Sequence, residues 1–152
     1  MLKPGTHAPE FTLPDADGNP VSLSDLLAGG PLILYFYPAD FTPGCTKEAC
    51  DIRDIHGELA AAGLQVTGVS PQDADSHRRF RDKHGLPFRL LCDTDKEVIR
   101  RYDADGPLGI GVRRVTYLIT PDGEIGDAVQ ADLMIGKHRS FIENAIRLNA
   151  DG

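Results

Sequence analysis

Cys45 and Cys50 stand five residues apart in the stretch YPADFTPGCTKEAC, Tyr37–Cys50, behind Thr42, Pro43 and Gly44. Thr-Pro is a helix-start signal, because threonine is a favoured N-cap and proline fits the first helical position, where its missing N–H is no loss. That register puts Cys45 third in the helix, in a first turn whose backbone N–H groups lack intrahelical partners and carry the positive end of the helix dipole. Both features favour a thiolate, the form of cysteine that attacks electrophiles and binds metals. A nucleophile alone is not an enzyme: rate enhancements begin near ~10⁶, and the remainder must come from orienting a substrate and stabilising its transition state. Taken by themselves the two cysteines leave open a catalytic pair, a structural pair and half a metal site. His7, His56, His77, His84 and His138 are scattered and offer no ligand spacing around them, which weighs against the metal.

The surrounding sequence supplies the elements that hold this stretch. PLILYFYP is a continuous apolar and aromatic run bounded by prolines, and it predicts a buried central strand over Leu32–Tyr37. From Pro43 to about Ala61, Ala49, Ile52, Ile55, Leu59 and Ala62 keep a three-to-four spacing that predicts a helix stopped by Gly63. Further strands are expected at Leu64–Val69, within FRLLCD, at Val115–Ile119 and at Glu124–Gln130, the last two joined by a Pro121-Asp122-Gly123 turn. Helices are expected at about Asp73–His84, at KEVIRRY and at Lys137–Leu148, and a hairpin around Asp17-Gly18-Asn19 precedes them all. Alternating strands and helices with a closing hairpin predict an α/β fold, a central mixed sheet covered on both faces.

At 152 residues the chain suits one domain with its own core. A net charge of −7 argues against a sequence-independent grip on nucleic acid or on an anionic membrane, both of which need a cationic surplus. The start, MLKPGTHAPEF, has no apolar h-region, and no apolar run approaches the roughly 18 residues of a membrane span. A cytoplasmic protein is expected, where three cysteines are too few for a disulfide scaffold. Cys92, in RLLCD, reads as a small buried hydrophobe, and HRRFRDKHG as a solvated helix face.

Pro38, Thr42, Cys45 and Glu48 match the P-x-x-x-T-x-x-C-x-x-E signature of peroxiredoxins, and the wider FYPADFTPGCTKEAC resembles the bacterioferritin-comigratory, or PrxQ, subfamily. GTHAPEFTLPDADGNPVSLSDL is similar to that family's N-terminal hairpin and RVTYLITPDG to its late strand, which places Arg114 in the active-site arginine position. Neighbouring Arg113 is one residue off that spacing, a step that on a strand points to the opposite face.

The resemblance implies a thioredoxin-like three-layer fold over residues 1–152 and an antioxidant hydroperoxide-reducing activity that needs no cofactor and no metal. It implies Cys45 as the peroxidatic thiol and Cys50 as the resolving thiol of an atypical two-cysteine enzyme. Thr42 and Arg114 would bind the peroxide, Glu48 would fix the guanidinium, and Pro38 would wall off water. The implied partners are a hydroperoxide substrate and a thioredoxin-like dithiol reductant, with the chain a monomer. A general thiol-disulfide oxidoreductase is the rival on the same fold, but its C-x-x-C spacing is missing. A copper-carrying thioredoxin-like module would want C-x-x-x-C and a partner histidine. Five residues of ideal helix separate Cα atoms by about 8.6 Å, beyond the roughly 7 Å that a disulfide tolerates. A Cys45–Cys50 bond is therefore expected to require local unwinding.

Overall fold

The computed structural model describes residues 1–151. Its centre is a five-stranded mixed sheet built on β3 (Leu32–Phe36), every residue of which is buried. On one side β3 pairs in parallel with β4 (Gln65–Ser70), and β4 in parallel with β5 (Arg89–Cys92). On the other side β3 pairs antiparallel with β6 (Val115–Ile119), and β6 antiparallel with β7 (Ile125–Gln130). A separate hairpin of β1 (Thr12–Pro14) and β2 (Pro20–Ser22) precedes the sheet, closed over Asp17-Gly18-Asn19 as the sequence predicts.

Alternation along β3 feeds two cores, since successive strand residues face opposite sides. Leu32, Leu34 and Phe36 join Val115, Tyr117 and Ile119 under the hairpin, α1 (Leu23–Leu27) and α4 (Glu97–Arg101). Ile33, Tyr35 and Tyr37 join Ile52, Ile55 and Leu59 of α2 (Pro43–Ala61), Phe80 of α3 (Ala74–His84) and Ile142 of α5 (Gly136–Asp151). The result is the expected three-layer, thioredoxin-like α/β arrangement. Tyr35 lies against Gly68, its register partner on β4, where an added Cβ would sit 2.7 Å from the ring. No larger residue fits there without moving the aromatic pair Tyr35–Tyr37 that floors this core.

Helix α2 matches its expected span, and α3 is stopped by Gly85 in the left-handed conformation, as expected. Two short elements escape the periodicity. Helix α1 has five residues, too few for a repeat, although Ser22 caps it by accepting from the Asp25 amide. A 3₁₀ turn at Pro107–Gly109 lies in the segment leading to β6. Among the described residues no helix is long and apolar enough to cross a membrane.

Candidate active site

Helix α2 buries the face that carries Cys45, Glu48, Ala49, Ile52, Ile55 and Leu59, spaced at three and four residues. Cys45 and Glu48 are thus drawn inward by the same pattern that packs the helix on β3. Each is almost fully buried, at 2% and 1% exposed. Cys50 lies about 140° farther round an ideal helix and is only half-buried. All three cysteines are free thiols, and α2 is unbroken from Pro43 through Cys50.

Arg114, just ahead of β6, reaches across from the sheet to that buried face. Its Nη1 donates to Cys45 Sγ at 3.2 Å and to Glu48 Oε1 at 3.0 Å. Burial works against the guanidinium charge, but Cys45 and Glu48 outweigh it and hold Arg114 above its ordinary value. Burial pushes the Glu48 carboxyl up to about 7 despite the pull of Arg114. The guanidinium passes close over Gly44, where a Cβ would meet Nη2 at 3.0 Å, so the glycine permits the approach. Arg114 Nε, also buried, has no hydrogen-bond partner among the described residues. Arg113 stays half-exposed; it borders a surface with Met1, Asp103 and Asp105 and also lines the cleft that Pro38 and Arg114 share, but makes no contact with Cys45 or Glu48 among the hydrogen bonds and ion pairs of the described residues.

Thr42 occupies the predicted N-cap position with extended backbone, but its hydroxyl does not cap the helix. It donates instead to the Ala39 carbonyl at 3.0 Å, tying the loop to itself. The first intrahelical bond runs from Thr46 N–H to the Thr42 carbonyl, so the Gly44 and Cys45 amides precede the helical ladder. Pro38 is half-buried and lines a cleft of about 330 Å³ with Ile110, Val112, Arg114 and Asp132. The six residues singled out from sequence therefore divide. Cys45, Glu48 and Arg114 are in direct contact, Thr42 and Pro38 belong to the loop leading into α2, and Cys50 faces elsewhere.

Sequence spacing missed the histidines around this loop, because their contacts cross between elements. His138 of α5 places Nδ1 3.5 Å from Glu48 Oε2 and 2.8 Å from Thr116 Oγ1, while Nε2 donates to the Ala131 carbonyl at 2.9 Å. Its burial lowers its affinity for a second proton. His77 of α3 meets the Asp40 carboxylate at 2.7 Å and the Leu91 carbonyl at 3.0 Å. Tyr37 and Ser76 also donate to Asp40, and these bonds hold its carboxyl below the usual range although burial opposes them. The loop carries one non-glycine residue in left-handed backbone, Phe41 at φ 64°, whose ring sits 5.2 Å from Phe80. Cys92 is buried, its Sγ 3.8 Å from the Asp15 carbonyl, and burial pushes its thiol up to about 11. Among the described residues no three His, Cys, Asp or Glu side chains group as a metal site.

A heavily bonded loop that delivers a cysteine to a helix N-terminus, beside a buried arginine, is an arrangement suited to thiol chemistry on a thioredoxin-like sheet. The AhpC/TSA family model matches residues 4–128. A putative peroxiredoxin of Mycobacterium tuberculosis is 50% identical over 130 residues, covering 82% of each chain. Peroxiredoxin Bcp of Escherichia coli K12 is 37% identical over 155 residues, covering 98% of each. Among solved structures, peroxidoxin BcpB of M. tuberculosis superposes with a TM-score of 0.90 at 33% identity, over 97% of this chain and 98% of that one. Peroxiredoxin Q of Xanthomonas campestris superposes at 0.83 and 32% identity, over 92% and 91%. The chain belongs to the AhpC/TSA family, as a thiol peroxidase of the Bcp/PrxQ peroxiredoxins.

Proposed function

We propose that this peroxiredoxin reduces hydrogen peroxide and organic hydroperoxides through Cys45, and that the Arg114–Cys45 contact at 3.2 Å is the observation that carries the assignment. The Cys45 thiolate attacks the terminal peroxide oxygen, the O–O bond breaks, and the departing oxygen leaves as water or alcohol once protonated. The sulfur is left as a sulfenic acid. Charge moves onto oxygen during this step, and a planar, permanently charged guanidinium is suited to receive it. Nη1 already addresses the sulfur, and the unpartnered Nε supplies a further donor. The Thr42 hydroxyl, bonded to Ala39, keeps its lone pairs for a peroxide proton. Glu48 orients Arg114 by accepting from the same Nη1 that addresses the sulfur, and Pro38 shields the approach.

Cys50 then resolves the sulfenic acid as an intramolecular disulfide, which a thioredoxin-like dithiol protein reduces, making this an atypical two-cysteine enzyme. The half-buried position of Cys50 on an unbroken helix supports a resolving step that unwinds the first turns of α2. No cofactor enters this cycle, and the 1–152 chain acts as one domain, cytoplasmic and monomeric, a state that sedimentation velocity reads directly. Peroxide consumption with a thioredoxin system tests the whole reading. Cys45→Ser is expected to abolish turnover while Cys92→Ser leaves it largely intact. Turnover surviving in Cys45→Ser would overturn the assignment.

A further inference from the structure

The residue beside the second cysteine is a histidine: Cys50 Sγ lies 3.8 Å from Nδ1 of His84, the last residue of α3. The contact is fixed from two sides. Arg53, one position short of a full turn beyond Cys50 on α2, donates from Nη1 to the His84 carbonyl at 2.8 Å and so clamps the end of α3 onto α2. Phe80, one turn back on α3, holds the imidazole edge-on at 5.1 Å between ring centroids, and Phe80 in turn carries Phe41 of the cysteine loop. Of the charged side chains on the two helices here, Arg53 pairs with Asp54 on α2, and Lys83, next to His84 in sequence on α3, holds its ammonium over Phe41. Neither Cys45 nor Arg114 contributes to this arrangement, which faces the opposite way round the helix.

We propose that His84 is a further catalytic residue, the general base that takes the proton from Cys50 for the resolving step. The inference rests on Cys50 being the resolving thiol. The neutral ring carries its hydrogen on Nε2 and accepts the Cys50 proton at Nδ1. The Cys50 thiolate attacks Sγ of the Cys45 sulfenic acid, the S–S bond forms, and the S–O bond breaks. The oxygen leaves as hydroxide and takes up a proton to become water, and the imidazolium returns its proton to solvent. Cys50 sulfur is oxidised and the sulfenic sulfur reduced, both ending in the disulfide. Deprotonation happens while α2 is helical and Cys50 is against His84, and the thiolate is then released as the first turns open. Peroxide attack at Cys45 does not involve His84, so the two half-reactions use separate sets of groups.

The test is a rapid-quench series after one equivalent of hydrogen peroxide, with dimedone trapping of sulfenic acid and intact mass of the disulfide, from about pH 6 to about pH 9.5 to span the ordinary histidine and thiol ranges. His84→Asn keeps a polar group near the Nδ1 position but cannot accept the proton, and His84→Ala checks the outcome in a second background. Both are expected to form sulfenic acid at the wild-type rate, yet to convert it to disulfide on the order of 10²-fold more slowly near pH 7. The deficit is expected to close toward the alkaline end, where the thiol ionises without a base. Conversion at the wild-type rate near pH 7 overturns the proposal, as does a deficit of equal size at every pH, which marks a purely structural contact. Cys50→Ser separates the two claims: persistent sulfenic acid supports Cys50 as resolver, whereas disulfide formation at the wild-type rate in that variant removes the resolving reading and His84's role with it.

Discussion

One nitrogen, Arg114 Nη1, serves both Cys45 and Glu48, its two N–H groups allowing one bond to each, so the guanidinium is fixed between the sulfur and the carboxylate. Lysine at that position keeps the charge but offers a point ammonium instead of a planar array of donors. Arg114→Lys is expected to lower the rate of peroxide reduction by about tenfold or more, whereas Arg113→Lys stays near wild type. A collapse confined to Arg113→Lys would mean that the wrong arginine bears the chemistry. Glu48 makes a second prediction, about pH. Burial raises it to about 7, so the folded protein holds this proton more tightly than the unfolded chain does. The stability gained is fully present below the ordinary glutamate value of 4.5 and is lost as pH rises through about 7. Urea unfolding is expected to show wild type losing up to roughly 3 kcal/mol relative to Glu48→Gln across that window. A difference that does not change with pH would contradict the buried, proton-holding carboxyl. The Cys45–Glu48 pair was legible because helical spacing alone puts both on one face. The partners His138 and Thr116 were not, since nothing local in the sequence brings α5 and β6 to that carboxyl.

Helix α2 was readable from end to end, because Thr42-Pro43 opens it, a continuous apolar face fills it and Gly63 closes it. The loop ahead of it was readable only in part. Thr42 has the identity of a capping residue and the position of one, yet its hydroxyl turns back to Ala39. The tertiary anchoring of the loop, Asp40 onto His77 and Phe41 onto Phe80, comes from α3 and decides its conformation. That anchoring bears on the oxidised form. With Asp40 and Phe41 held by α3, opening is expected to fall on the α2 side, over residues 42–53. Amide exchange across this span is expected to rise when the protein is oxidised to the Cys45–Cys50 disulfide. If the oxidised protein carries that bond and these amides remain as protected as in the reduced form, the unwinding account is wrong. The five-residue α1 and the 3₁₀ turn at Pro107–Gly109 were missed for lack of length, although the Ser22-to-Asp25 cap was a usable signal for the first.

Over the whole molecule, the order of strands and helices was legible because β3 reads as buried on both faces and each crossover helix shows its own period. What the order does not reveal is which side chains the two cores bring together at their rims. Arg114 enters from the antiparallel half of the sheet, Cys45 and Glu48 from the helix after β3, and His84 from the parallel half, so in the proposed cycle peroxide attack and thiol resolution draw on different parts of one fold. Leu108, Ile110, Leu133 and Met134 are exposed on the loops before β6 and after β7, apolar surface that no run in the sequence announces. The central proposal is that Cys45 is the sulfur that takes oxygen from the peroxide. Its most direct test is Cys50→Ser treated with one equivalent of hydrogen peroxide in the presence of dimedone, followed by peptide mapping. A single adduct on the peptide carrying Cys45, absent when Arg114 is also changed to Lys and the reaction is stopped early, is the expected result. An adduct on Cys92, or an unmodified Cys45 with the peroxide consumed, would contradict it.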